Sequence, residues 1–318
     1  MAQRYTILVA VLGAWLVMAG CASKSQRVDA ETARFLVGSQ QALHKGDLRR
    51  AQALADRAVN RQPRVADVHF QRGRVLSVMK QFDAAEDAYR QAVSLDPTYH
   101  EAWINLGHNA SRQLKYYAAL RYYEKAVAAE PAKVGVSIGR AYASLGKADS
   151  AAVAYHRALD ADSTNAAAHL WLSVLYKNRG DLSQALEHAR RALALDPGNM
   201  DYRYVIGGQL LAAGDLEAAQ SHLQAVVQRQ PWHYGAYYRL GRVMARIGNP
   251  DRAERLMARA DSIQRLQGDV VRLEEVIRMK PEDPRPWIQM GNALQALGRH
   301  QKAMQAFRVA ETLASPTP

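Results

Sequence analysis

The amino-acid sequence predicts an all-α protein in which similar pairs of helices follow one another along the chain. The first observation is composition: only 4 Phe occur beside 15 Tyr among 318 residues, and alanine is abundant, whereas a β-sandwich is rich in Val, Ile and Thr. The second is a proline period, because Pro63, Pro97 and Pro131 lie 34 residues apart. The third is a set of small residues that recurs in step with these prolines. Together they favour helices that approach one another closely.

The chain begins with a segment typical of an export signal. Arg4 precedes an uncharged apolar run from Tyr5 to Met18, and this run is shorter than the ~20 residues that a membrane-spanning helix needs. A basic residue followed by such a run is the pattern of a signal peptide. We therefore predict that residues 1–20 are a signal peptide that is removed on export.

The residues at the end of this segment, Met18-Ala19-Gly20-Cys21, resemble the lipobox of bacterial lipoproteins. Cys21 is the only cysteine in the sequence. The resemblance implies that Cys21 becomes a lipidated N-terminus bearing acyl chains such as palmitate, and that Ala22 favours the outer membrane, facing the periplasm. Several acyl chains hold a protein stably at a membrane surface. The alternative is an ordinary secretory signal with a chance cysteine.

Repeats of 34 residues follow residues 21–30, a small and polar segment that predicts a flexible lipidated tether. When each repeat is numbered with its proline at position 32, position 8 is a small residue and position 20 is always alanine. Position 27 is alanine in all repeats but one. The alanines at position 20 are Ala51, Ala85, Ala119, Ala151, Ala185, Ala219, Ala253 and Ala303. Such self-similarity predicts eight copies of one structural unit.

The third copy carries the clearest motif. Its residues are Trp103, Leu106, Gly107, Ala119, Tyr123, Ala126 and Pro131. This pattern resembles the tetratricopeptide repeat family, in which each repeat is a pair of helices, A and B. The resemblance implies a right-handed α-solenoid of about eight helix pairs, with repeats one to seven in residues 31–267 and a concave groove lined by the A helices. Small side chains at positions 8, 20 and 27 would let the helices approach, and bulky ones would fill the gaps.

Two departures from the period change the predicted architecture. Gly139 follows its proline by eight residues where other copies show ten, so repeats three and four should join through a shortened linker. Gly241 and Pro281 are 40 residues apart where 24 are expected, and apolar residues at helical spacing in the insertion predict an elongated helix B in repeat seven. Residues 268–318 would then form an offset C-terminal helical unit with repeat eight. Gly268 leaves open a kink or a break in this helix.

The sequence shows no pattern typical of catalysis or metal binding. It contains no phosphate-binding loop, zinc-protease motif or dinucleotide-binding glycine pattern, and its 10 His are scattered. We therefore predict a protein that is not an enzyme and has no cofactor. The formal net charge is +12, but the basic residues are spread over all repeats, so nucleic acid is not an expected partner.

The family resemblance places a binding groove on the A helices. Position 5 is mostly apolar and position 9 is often basic, and the two lie one helical turn apart. We predict that a partner strand or loop packs apolar side chains on position 5 and pairs its carboxylates with position 9. The alternative is that position 5 belongs to the core and the arginines are ordinary solvated residues. The residues assigned to the groove are Phe70, Arg74, Ile104, Asn105, His108, Arg112, Lys133, Val136 and Arg140, with Tyr238 and Arg242 in repeat seven.

These features predict a lipid-anchored scaffold or adaptor of the bacterial cell envelope that binds protein or peptide partners in the groove, for the assembly of an envelope complex. An alternative is an accessory lipoprotein of a pilus, secretion or polysaccharide-export machine. A remote alternative is an enzyme with its site in the C-terminal unit. The dicarboxylate clamp of chaperone-binding family members is not reproduced, because only Asn105 and Lys133 match it. The sequence does not predict an oligomeric state.

Overall fold

The computed structural model describes residues 27–314. The predicted signal peptide, Cys21 and the first part of the predicted tether lie outside the described residues, so they stay predictions. Within the described residues the chain forms sixteen α-helices and no β-strand. The all-α prediction is therefore confirmed, and the chain is an α-solenoid of helix pairs.

The first of two compact units ends at Asp162. In it, each helix packs against the next, and A helices also contact the A helices of neighbouring repeats. Asp29 and Asp47 begin the first two helices, where their carboxylates accept hydrogen bonds from the backbone N–H groups of Thr32 and Arg50. The helices are α1 Ala30–His44, α2 Leu48–Arg61, α3 Ala66–Val78, α4 Phe82–Leu95, α5 His100–Arg112, α6 Tyr116–Glu124, α7 Pro131–Ser144 and α8 Ala148–Ala161.

The second unit begins at Ser163 and contains four further helix pairs among the described residues. Gly214 ends its second A helix with φ at 89°, a left-handed conformation that glycine adopts at little cost. The helices are α9 Ala166–Asn178, α10 Leu182–Leu195, α11 Met200–Ala213, α12 Leu216–Arg229, α13 Tyr234–Arg246, α14 Pro250–Met279, α15 Pro284–Ala296 and α16 His300–Ala314.

Position 8 and position 24 are matched in size within each repeat. A Cβ atom added to Gly73 would lie 2.6 Å from the ring of Tyr89. A Cβ atom added to Gly207 would lie 2.7 Å from the side chain of Leu223. Larger side chains at position 8 are excluded by this packing. The small residue that the sequence shows at position 8 therefore makes room for the bulky residue of helix B.

Two repeats use a different arrangement at the same place. Ser39 and Ser173 replace glycine at position 8, and both repeats have alanine at position 24. In both repeats the serine accepts a hydrogen bond from a glutamine of the next repeat: Gln71 Nε2 donates to Ser39 Oγ at 3.1 Å, and Gln209 Nε2 donates to Ser173 Oγ at 2.5 Å. These serines and glutamines are buried, and their hydrogen bonds join adjacent repeats inside the core.

The prediction of a shortened linker between repeats three and four is wrong: six residues, 125–130, separate α6 from α7, whereas four, 96–99, separate α4 from α5, because helix α6 ends early. Helix α6 has 9 residues, whereas its counterpart α4 has 14. Single turns follow it, with the N–H groups of Lys125 and Ala126 donating to the carbonyls of Tyr122 and Tyr123. Pro131 is the first residue of α7 rather than the residue that ends the preceding repeat. Proline fits there because the first helical N–H has no partner within the helix.

The elongated helix of repeat seven is confirmed. Helix α14 has 30 residues and is continuous through Gly268, so it neither breaks nor starts a new element there. No atom lies within 4 Å of the place where a Cβ of Gly268 would be, so this glycine has no packing role. The boundary predicted at residues 267–268 lies inside α14, and helices α15 and α16 belong to the same compact unit as the rest of residues 163–314.

Candidate functional site

The A helices of repeats two to four line a cavity in the first unit, which we call the basic cavity. Its volume is about 670 Å³, which is within the range of ligand-binding clefts. Its main lining residues are Arg74, Ser77 and Val78 of α3, Asn105, His108, Asn109, Ser111 and Arg112 of α5, and Ser137, Arg140, Ala141 and Ser144 of α7, with Leu43, Tyr89, Leu114, Tyr116 and Tyr123 around them. Positions 9, 12 and 13 of the A helices thus form most of its wall.

The basic cavity has a strong excess of positive charge. Arg74, Arg112 and Arg140 line it, and no Asp or Glu is among the described residues that do so. The guanidinium group of Arg74 lies 5.9 Å from the ring centre of Phe70, a cation–π contact, and its Nη1 donates to Gln71 Oε1 at 3.1 Å. These contacts hold Arg74 in place without neutralising its charge.

His108 lies between the arginines of the basic cavity. Its Nε2 is 3.2 Å from Ser137 Oγ on the next A helix, and its ring packs edge-on against Tyr123 with centres 5.7 Å apart. The pKa of His108 is lowered, first because the cavity walls remove water from the ring and then because Lys133, Arg112 and Arg140 repel its charged form. At neutral pH the ring is therefore neutral.

Two other predicted residues have local partners. Asn105 lines the basic cavity and its Nδ2 donates to the carbonyl of Glu101, one turn earlier, at 2.7 Å. Lys133 forms an ion pair with Glu130 at 3.0 Å and is not part of the wall. Its charge acts on His108 from the first turn of α7 without lining the basic cavity.

The apolar stripe predicted at position 5 is not exposed in repeats three and four. Ile104 and Val136 are only 2% and 9% exposed, and Ile104 packs in the core with Val134 of the following repeat. Phe70 is half-buried, with its ring centre 4.8 Å from that of Tyr99. The alternative, that position 5 belongs to the core, describes Ile104 and Val136.

Several wall residues were not assigned from the sequence. The hydroxyl groups of Ser77 and Ser111 lie 3.3 Å from those of Tyr89 and Tyr123, respectively. Burial raises the pKa of both tyrosines, so they stay protonated and act as hydrogen-bonding groups. A hydroxyl at position 12 in two successive repeats, each with tyrosine at position 24, was the signal in the sequence.

The remaining predicted residues, Tyr238 and Arg242, lie on α13 in the second unit. Tyr238 is 50% exposed, and Arg242, one turn later, is also exposed. The neighbouring Arg239 stacks on the ring of Tyr204 with its guanidinium carbon 3.9 Å from the ring centre, and its Nη1 donates to the Tyr204 carbonyl at 3.1 Å. This apolar and cationic surface belongs to the second unit.

Residues 27–314 contain neither a metal-ligand cluster nor a membrane-spanning helix. No group of three or more His, Cys, Asp or Glu side chains in that range is arranged to hold a metal ion. Among the helices of that range, none is both long and apolar enough to cross a membrane.

Models of the tetratricopeptide repeat match both units. Four such models match, at residues 66–99, at residues 100–133 and 284–315, at residues 136–199, and at residues 210–270. The chain belongs to the tetratricopeptide repeat family. The matched repeats include those that form the basic cavity.

Two curated relatives share part of their length with this tetratricopeptide repeat chain. Protein O-mannosyl-transferase TMTC1 of Homo sapiens is 27% identical over 182 residues, which are 56% of this chain and 19% of the relative. Anaphase-promoting complex subunit 3 of Schizosaccharomyces pombe is 22% identical over 173 residues, which are 54% of this chain and 26% of the relative. The chain therefore spans about a fifth and about a quarter of these relatives.

Solved structures share the tetratricopeptide fold. PilW, a widely conserved type IV pilus biogenesis factor, has a TM-score of 0.59 at 20% identity, with 68% of this chain and 99% of PilW covered. Pseudomonas aeruginosa pilF has a TM-score of 0.57 at 16% identity, with 65% and 95% covered. The APC/C hetero-tetramer Cut9-Hcn1 has a TM-score of 0.60 at 15% identity, with 86% and 50% covered. At these identities the likeness shows the fold.

Proposed function

We propose that this protein is a lipid-anchored scaffold of the bacterial cell envelope that binds partner proteins in the basic cavity. Tetratricopeptide repeats are protein-interaction scaffolds. For this chain we assign partner binding to the basic cavity. The observation that carries the proposal is a cavity lined by Arg74, Arg112 and Arg140 and by no acidic side chain among the described residues. Such a surface is electrostatically complementary to an acidic partner.

The envelope part of the proposal rests on the N-terminal sequence. The apolar run after Arg4 and the lipobox-like residues before Cys21 are typical of an exported, lipid-anchored protein. Two or more acyl chains on Cys21 would attach the protein stably to a membrane, with the outer membrane as the expected site. The folded residues would then face the periplasm.

A second candidate function is an accessory role in a pilus, secretion or polysaccharide-export machine. It is favoured by the likeness of the fold to PilW, a type IV pilus biogenesis factor, nearly all of which is covered by this chain. This role is a special case of the scaffold, since the same cavity would bind a component of the machine. This role would be supported if expression of the protein restored pili to a strain that lacks such a factor.

We further propose that the chain is not an enzyme. The match to a human O-mannosyl-transferase covers 19% of that relative, and nearly all of the described residues of this chain are repeats, so the shared part consists of repeats.

Lipid anchoring is tested by the variant Cys21→Ala. The variant cannot be acylated at that side chain, so we expect it to lose incorporation of labelled palmitate and to move from the membrane fraction to the soluble fraction. Fractionation followed by immunoblotting measures this. A variant that remains wholly with the membranes would contradict the anchor, and unchanged partner capture by detergent-solubilised protein is the control for folding.

Partner binding is tested by reversing two charges in the basic cavity. We expect Arg74→Glu with Arg140→Glu to lower partner capture about tenfold or more, because each lost charge-assisted contact is worth ~1.5–3 kcal/mol. Crosslinking in intact cells followed by quantitative mass spectrometry measures it. The matched control is Arg50→Glu with Arg121→Glu, which changes the net charge equally at exposed positions outside the cavity. Equal capture by both double variants would end the proposal.

A further inference from the structure

We propose that the basic cavity binds an extended acidic segment of the partner and that His108 takes up a proton when the segment binds. This inference rests on the proposed function and names the chemistry and the pH dependence of the same site. The binding site would be the row formed by Arg74, His108 and Arg140, which occupy position 9 in three successive repeats.

The spacing of this row matches an extended polypeptide. Helix α3 contacts α5, and α5 contacts α7. Since packed helices lie ~8–10 Å apart, successive members of the row lie about 10 Å apart. A chain in the polyproline II conformation advances ~3.1 Å per residue with three residues per turn, so carboxylates at every third residue of a partner lie on one face and would fall beside Arg74, His108 and Arg140 in turn.

The groups around His108 explain why a proton would accompany the ligand. The charged or titratable groups that face it are Arg74 from α3, Tyr89 from α4, Arg112 from its own helix, Tyr116 and Tyr123 from α6, and Lys133 and Arg140 from α7. Helix α7 contains no Asp or Glu, and Glu130, just before it, is paired with Lys133 and does not line the cavity. A protonated His108 would therefore face only positive or neutral groups until a ligand supplies a carboxylate.

The direction of the linkage follows from these surroundings. In the free protein the pKa of His108 lies below its ordinary value, which is about 6.5. A ligand carboxylate within ~4–6 Å favours the charged imidazole and raises that pKa. Between the two pKa values the complex holds more protons than the free protein, so binding becomes tighter as the pH falls through this window. Above both values His108 contributes no pH dependence.

A polypeptide fits the basic cavity better than a single-stranded nucleic acid does. Nucleic-acid grooves present aromatic faces on which bases stack. Of the tyrosines that border the cavity, Tyr89 and Tyr123 are each only 1% exposed, so their ring faces are not open for stacking, and Tyr116 is half-buried. The cavity instead offers Asn105 and the hydroxyl groups of Ser77 and Ser111, which can hydrogen-bond to peptide groups.

The experiment is calorimetry of the full chain, solubilised in detergent, with a synthetic peptide of about ten residues that carries Asp at every third position. Titrations at about pH 6 and about pH 8, each in two buffers of different ionisation enthalpy, give the affinity and the number of protons taken up. We expect roughly fivefold tighter binding at the lower pH, with net proton uptake, for the native protein. His108→Gln keeps a hydrogen-bonding group near Ser137 but cannot titrate, so it should bind as the native protein does at the higher pH and lose the pH dependence.

Each outcome decides a separate claim. Binding of the peptide without proton uptake, or the same pH dependence in His108→Gln, overturns this inference and leaves the proposed function standing. A peptide of equal composition whose Asp residues are adjacent should bind at least about fivefold more weakly. If it binds equally well, the claim that Arg74, His108 and Arg140 form one binding row is wrong. If a single-stranded oligonucleotide binds more tightly than the peptide, the ligand is a nucleic acid and the claim of an acidic polypeptide segment is wrong. If no peptide binds and the Arg74→Glu, Arg140→Glu variant captures partners normally, the proposed function itself fails.

Discussion

Tyrosine at position 24 shows how one buried hydroxyl depends on a residue in the facing helix. Tyr89 Oη donates to Ser77 Oγ at 3.3 Å. In repeat four the residue equivalent to that serine is Ala143, and the Tyr155 hydroxyl is buried with no hydrogen-bond partner among the described residues. Burial raises the pKa of Tyr155 to about 12. An unpaired buried hydroxyl is a cost to the folded state.

We therefore predict that Tyr155→Phe leaves the free energy of unfolding unchanged or raises it by up to about 1 kcal/mol, since the variant removes the unpaired group and keeps the ring. Tyr89→Phe is the matched control and should lower that free energy by ~0.5–1.5 kcal/mol, because Ser77 loses its partner. Urea denaturation followed by circular dichroism measures both. A larger loss in Tyr155→Phe than in Tyr89→Phe would contradict the assignment.

At the same scale, the sequence placed residues on the A helices correctly but could not tell which of them the next repeat covers. Arg74, His108 and Arg140 line the basic cavity as predicted positions of the groove. Ile104 and Val136 do not line it, and Ile104 is buried in a cluster with Val134 of the following repeat. A helical period gives the direction of a side chain and not the size of the neighbour that it meets.

At the scale of the elements, the two helices of a repeat pack together because the residues at positions 8 and 24 are complementary in size. Glycine at position 8 accompanies a bulky residue at position 24, as in Gly207 with Leu223, whereas Ser173 accompanies Ala189. In the second case Gln209 of the next repeat donates a hydrogen bond to Ser173. The two arrangements are alternative solutions to packing the same helix pair at interior density.

We predict that Gly207→Ser lowers the free energy of unfolding by ~1–3 kcal/mol, because the new side chain overlaps Leu223. In a double-mutant cycle with Leu223→Ala, which alone should cost ~2–5 kcal/mol, the double variant should be more stable than the sum of the single effects by about 1 kcal/mol or more. Gly268→Ser is the matched control, since nothing lies near that position. Additive effects in the cycle would contradict the size matching.

The elements also show where a sequence period stops being informative. The continuous helix α14 followed from apolar residues at helical spacing, because such a pattern extends a helix without a break. The length of α6, nine residues, could not be predicted from the sequence. A repeat that is two residues short can lose them from the end of a helix, from a loop or from the start of the next helix. Pro131 was expected to end a repeat, yet proline is equally suited to the first turn of α7.

For the whole molecule, hydrogen bonds between residues about one repeat apart in the sequence join neighbouring repeats within each unit. Tyr99 Oη donates to Asp67 Oδ1 at 2.8 Å, and Gln267 Nε2 donates to the Trp232 carbonyl at 2.8 Å. Such nearest-neighbour contacts are what hold a solenoid together. The division after Asp162 was not predicted, because the 34-residue period passes through that point unchanged.

The central claim is that partners of this protein are captured in the basic cavity, and site-specific photo-crosslinking in living cells tests it most directly. A benzophenone amino acid replaces Val78, which lines the cavity and is 50% exposed, or Val153, which lies on α8 outside the cavity and is 52% exposed. We predict a discrete partner adduct from position 78 that disappears when Arg74 and Arg140 are changed to Glu, and none from position 153. Equal adducts from both positions, or an adduct from position 78 that persists in the charge-reversed protein, would contradict the claim.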